Sequence, residues 1–179
     1  MNAPNAQTEK IRCLLKDFPT AMLITHGDRG RLHARPMAVA EVRDDCALWF
    51  ITGEHTSTAW EVSSRKQAHV VFQNDHGAYL SISGTATLVH DSDRVKELWK
   101  EPFRVWFPGG IDDPSLVLVL FHPERAEYWD NSGFNKISYL WETARACVSG
   151  KTPRVEEGMQ HGVVSLGSNI SKLAATTLS

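Results

Sequence analysis

What most restricts the fold of this chain is the brevity of the turns between its apolar runs. Thr20 to His26, Arg35 to Val42 and Ala47 to Thr52 read as strands, punctuated by Gly27-Asp28-Arg29-Gly30 and Arg43-Asp44-Asp45. Turns this short join antiparallel neighbours, whereas a parallel crossover needs about a dozen residues or more. Ala68 to Gln73 and Tyr79 to Val89 repeat the pattern across Asn74-Asp75-His76-Gly77, with Gly84 marking a bulge or close approach in the second run. Leu116 to Phe121 and Arg125 to Trp129 complete the strands. With only a few helices inserted, this spacing predicts a small antiparallel barrel rather than a doubly wound sheet.

The helical segments are short. Ile11, Leu14, Leu15 and Phe18 line one face of a helix that Pro19 stops. A second helix follows Thr52, with Thr56, Ser57 and Thr58 at its start and Thr58 and Glu61 at capping-box spacing. A third covers Asp91 to Lys100, with Val95, Leu98 and Trp99 on its buried face, and Trp106 to Pro114 reads as a loop. Ile137, Leu140, Trp141, Ala144 and Val148 form a last helical stripe, which Gly150 ends. Residues 1–149 therefore read as one domain. Residues 150–179, poor in large apolar side chains, read as a C-terminal tail that is flexible or lies on a partner.

At 179 residues and a formal net charge of -2, the chain can close one core and has no general nucleic-acid surface. Cys13, Cys46 and Cys147 have neither a disulfide pattern nor zinc spacing, which fits a reduced, cytoplasmic setting. Residues 1–9 do not read as a signal peptide, and the longest aliphatic run is far short of the ~20 residues that span a bilayer, so no membrane is expected. The eight histidines show no ligand spacing, so no metal is expected; a serine-hydrolase elbow and a phosphate-binding glycine loop are absent too. Asp112-Asp113-Pro114 reads as a solvated turn rather than an acid and base pair.

One residue does not fit a structural role alone. Arg35 sits in a strand that otherwise reads as core, and a guanidinium there needs an anion or strong acceptors. That makes Arg35 the first candidate for a ligand contact. The alternative is that Arg35 pairs with Glu41 or another acid and the threonines only cap the helix. Trp106 and Trp129 lie beside polar loop residues, where an indole could cover a flat ring.

Arg35-Pro36-Met37, Leu48-Trp49-Phe50-Ile51-Thr52, Ser83-Gly84-Thr85-Ala86, Glu97-Leu98-Trp99, Trp106-Phe107-Pro108-Gly109-Gly110-Ile111-Asp112-Asp113-Pro114 and Glu127-Tyr128-Trp129-Asp130 occur in this order. Together they resemble the general-stress-protein branch of the pyridoxamine 5'-phosphate oxidase-like family, from about Ile11 to Trp141. The resemblance implies a mainly β, α+β fold: a six-stranded antiparallel split β-barrel with short flanking helices. It also implies a homodimer with FMN in clefts at the subunit interface. Carried over by position, Arg35, Pro36 and Met37 with Trp49, Phe50, Ile51 and Thr52 line the flavin ring and ribityl chain. Thr56, Ser57 and Thr58 stand where the oxidases typically carry Ser-Arg-Lys, so the hydroxyl is kept and two basic side chains are missing.

The expected function is that of an FMN-binding flavoprotein, a low-turnover oxidoreductase or flavin carrier working with a small-molecule electron donor or acceptor. The alternative is a non-catalytic flavin-sequestering or protein-interaction module. A true pyridoxamine-phosphate oxidase is disfavoured, because no second cluster of arginine, tyrosine and serine is present to hold a substrate phosphate. No residue reads as an essential acid or base.

Overall fold

The computed structural model describes residues 6–75, 77–130 and 161–166. Its elements run α1 (Ala6–Lys16), β1 (Thr20–His26), β2 (Leu32–Ala38), β3 (Glu41–Val42), β4 (Leu48–Gly53), α2 (Ser57–Ser64), β5 (Gln67–Gln73), β6 (Ala78–Val89), α3 (Ser92–Leu98), β7 (Leu116–Asp130) and β8 (His161–Ser165). All strand pairs are antiparallel, in the order β2-β1-β5-β6-β7-β4-β3, with β8 also on β7. The short turns do what their length requires: β1 pairs β2, β3 pairs β4 and β5 pairs β6.

The connection from β2 to β3 explains the curl. These strands lie at opposite ends of the strand order, yet only Val39 and Ala40 separate them. Three Cα steps reach roughly 10 Å, so the two edges of the sheet must meet. The run Arg35 to Val42, expected as one strand, is therefore two strands with a crossing between them. Ala40 N–H donates to Trp49 O at 2.9 Å and fastens the crossing to β4. Beyond Trp49 no described strand lies on that edge of β4, and β2 pairs only with β1. The result is a split barrel whose slit is a break in strand pairing between β2 and the end of β4, beside the start of α2.

Side-chain alternation separates two cores. Leu48 and Phe50 point into the barrel with Leu23, Val70, Leu80 and Phe121, and α1 closes it with Ile11 and Leu15. Trp49 and Ile51 point outward and are covered by Val95, Leu98 and Phe103. Burial on both faces is why β4 reads as an unbroken apolar run. Cys46 also packs in the main core, where burial pushes its thiol up to about 11.

β7 is one strand where two were expected. It pairs β6 along one edge and shares the other between β4 and β8. At its middle, Ser83 opposes Arg125 and Gly84 opposes Pro123, so Glu124 is the extra residue of a bulge. A Cβ on Gly84 would stand 2.1 Å from His122 O, so only glycine fits there. The bulge expected at Gly84 is therefore present, and the extra residue lies on the partner strand.

The strands exceed the expected six because the two-residue β3 and β8 are added. Within 150–179, expected to be a flexible or partner-contacting tail, the described residues His161–Ser165 form β8 on β7 and Val164 is buried in the main core. α1 starts earlier than Ile11, and the Trp106 to Pro114 loop contains a 3-10 turn at Gly110–Asp112. The helical stripe of 137–148 falls outside the described residues. No helix among the described residues is long and apolar enough to cross a membrane, and none of them form a group of three or more side chains able to hold a metal.

Candidate functional site

Cross-strand neighbours share a face of a sheet, so the register of β1 and β2 decides where the β2 side chains go. Met37 opposes Ala21, Arg35 opposes Leu23 and His33 opposes Thr25. Ala21, Leu23 and Thr25 are buried, which puts Met37, Arg35 and His33 on the inward face. Met37 packs on the core, and Arg35 and His33 stand at the rim of the slit. Pro36 is exposed on the other face.

The helix facing this rim is capped by a residue other than the one its sequence suggests. Thr56 is the N-cap of α2, accepting from Ala59 N–H at 3.3 Å and donating to Gly53 O at 2.8 Å. The capping box of Thr58 with Glu61 does not form, because both side chains turn inward. Thr58 Oγ1 accepts from Arg35 Nη1 at 2.6 Å, and Glu61 Oε2 accepts from Arg35 Nη2 at 2.7 Å.

Glu61 is the centre of the cluster and is only 2 % exposed. Thr25 Oγ1 donates to Oε2 at 2.5 Å, and His33 Nδ1 lies 2.5 Å from Oε1. Beside an ionised carboxylate that nitrogen is the donor. Burial pushes the Glu61 carboxyl up, but the hydrogen bonds from Thr25, His33 and Arg35 and the guanidinium charge outweigh it and hold the group below the usual carboxylate range. The arginine and the glutamate cancel in charge.

The remaining residues singled out in the sequence divide by environment. Thr52 Oγ1 meets Thr56 Oγ1 at 3.0 Å, at the junction of β4 and α2. Phe50 is in the barrel core, and Trp49 and Ile51 are in the second core, where the Trp49 indole N–H has no partner among the described residues. Ser57 is exposed. Trp106 is 74 % exposed at the end of the 3-10 segment Glu101–Val105, so within one chain it does not join the Arg35 cluster. Glu41, one proposed partner of Arg35, pairs instead with Arg94. Trp129 stacks on His161 with ring centroids 5.3 Å apart.

Sequence reasoning assigned no site role to Glu61, His33 and Thr25. One signal was present: an acid three residues after Thr58, next to Val62 on the buried side of a short helix, opposite a strand-borne arginine.

Known proteins place this architecture. A structure assigned to general stress protein 26 from Jannaschia is 28 % identical, with a TM-score of 0.66 over 89 % of this chain and 98 % of that one. The general stress FMN/FAD binding protein of Xanthomonas citri is 27 % identical, with a TM-score of 0.58 over 71 % and 89 %. Protein bli-3 of Neurospora crassa is 25 % identical over 148 residues, 76 % of this chain and 70 % of its own length. Residues 6–154 match the family described as pyridoxamine 5'-phosphate oxidase like, and this chain belongs to that family.

Proposed function

We propose that this chain binds FMN in the slit between β2, β4 and α2 and serves as a low-turnover oxidoreductase or flavin carrier of the general-stress type. The observation that carries this reading is the pair of strand edges, β2 and the end of β4, that face the slit without strand partners. Free backbone donors and acceptors between apolar strands suit the edge of an isoalloxazine, whose remaining surface needs an apolar slot. The naming of the Xanthomonas citri relative as FMN/FAD binding supports the same ligand class. In this reading the Arg35 side chain and the backbone edges of Pro36 and Met37 and of Trp49 to Thr52 border the ring and ribityl chain, since the side chains of Pro36, Trp49, Phe50 and Ile51 point elsewhere. Thr56, Ser57 and Thr58 lie toward the phosphate.

When bound, the flavin supplies hydride or electron transfer, and the chain supplies position and solvent exclusion. Glu61 is held ionised by three donors, so it is not a free proton donor. That feature favours the carrier over the oxidoreductase, and a flavin-sequestering module remains the second reading. The protein acts as a homodimer in this proposal, because elements bordering the slit or pairing with it expose Met22, Leu32 and Trp60.

The test is a titration of flavin-free protein with FMN, followed by absorbance and fluorescence, with light scattering before and after. Saturation at one flavin per subunit of a dimer is the expected result, and no binding overturns the proposal. Oxidation of NADH or NADPH by the loaded protein separates an oxidoreductase from a carrier.

A further inference from the structure

We propose that Glu61 sets the ligand class of the slit: by neutralising Arg35 from within the chain, it makes the site a receptor for the uncharged ring and ribityl chain of a flavin, to which a terminal phosphate adds little. This inference rests on the flavin reading above and differs from it in naming which part of the ligand is recognised.

A guanidinium holds a phosphate strongly when its fork is free to make two parallel bonds to the oxygens. Here Nη1 gives one N–H to Thr58 and Nη2 one to Glu61, so the fork is already turned onto α2 and its charge is met by a carboxylate. A phosphate reaching Arg35 also meets the Glu61 carboxylate, which is buried and therefore poorly screened by solvent. The carboxylate cannot easily step aside, because Thr25 and His33 hold it from two other directions. Arg35 itself is 19 % exposed at its side chain, enough to touch a ligand but without net charge to offer.

The neighbouring donors are weak substitutes. The Thr56 hydroxyl hydrogen is directed to Gly53 O, and α2 has no basic residue in its first turn. In the first turn of α2 a phosphate meets the exposed Ser57 hydroxyl and the helix N-terminus, both neutral groups. A neutral polyol chain meets no such conflict at this rim.

The experiment is calorimetric titration of the full-length, flavin-free protein with FMN and with riboflavin, each at about 20 mM and about 300 mM salt. Riboflavin is expected to bind within about threefold of FMN, or more tightly, and FMN affinity to change by less than about twofold with salt. Glu61→Gln removes the competing charge, so FMN should tighten by about tenfold or more while riboflavin stays within about threefold. Should that variant fail to fold, the wild-type ratio decides alone. A wild-type preference for FMN of about tenfold or more, falling with salt, overturns this inference and leaves the flavin reading intact. Absence of binding by either flavin overturns both.

Discussion

At the scale of single residues, the burial of Glu61 creates a dependence on pH. Its carboxyl is held below its ordinary value, so its contribution to stability is present above the unfolded carboxylate range near pH ~4.3 and is lost as pH falls through the lower folded value. Glu61→Gln keeps the shape but leaves Arg35 without its counter-charge, and breaking a buried pair in this way costs about 3 kcal/mol. The variant should be less stable at neutral pH and lose less stability on acidification, so the two curves converge in acid. Denaturant melts from pH ~7 down to ~3 check this, and parallel acid limbs would show that Glu61 is not the group responsible. The unusual status of Arg35 was legible from its position in an apolar strand. Its partner was not, because Glu61 lies 26 residues away and reads locally as a helix-capping acid.

Elements were more legible than the contacts between them. The short turns declared the antiparallel pairs, and Gly84 declared a bulge, because each is a local consequence of chain length or a missing Cβ. The break at Val39 and Ala40 was hidden, since it depends on the two sheet edges meeting, a property of the closed barrel. The unity of β7 was hidden too, because Pro123 interrupts its pattern where the bulge absorbs the missing N–H. Gly84 also gives the element-scale prediction. A methyl there must displace the His122 carbonyl or the Phe121 ring, one of which is backbone in the longest strand pair. Gly84→Ala should therefore cost about 3 kcal/mol, the upper end of ordinary overpacking, whereas Gly30→Ala, with open space but a φ of +75°, should cost about 1 kcal/mol. Equal midpoints for the two variants in urea would show that β7 yields freely at the bulge.

For the whole molecule, β8 determines how much of the chain the barrel requires. Its sequence, His-Gly-Val-Val-Ser, has too little apolar content to be read as a strand from composition. A strand that pairs an already formed edge needs little more than its backbone and one inward side chain, here Val164 at 2 % exposed. Three further contacts fix its register: Leu166 N–H donates to Glu124 O at 2.7 Å, His161 meets Glu127 at 2.9 Å, and Gly162 lies under Tyr128, where a Cβ would come within 2.7 Å of the hydroxyl. Ending the chain after residue 160 removes all of these and leaves the edge of β7 from Arg125 to Trp129 unpaired. The truncated protein should melt lower by about 10 °C or more and aggregate on heating. Val164→Ala, which deletes only buried methyl groups, should cost about 1–2 kcal/mol and lower Tm by about 3–6 °C. Flavin titration of both variants below their melting points should remain close to wild type, since β8 pairs the half of β7 that β4 does not. A truncated chain that melts with the wild type would show that β8 adds nothing to the barrel.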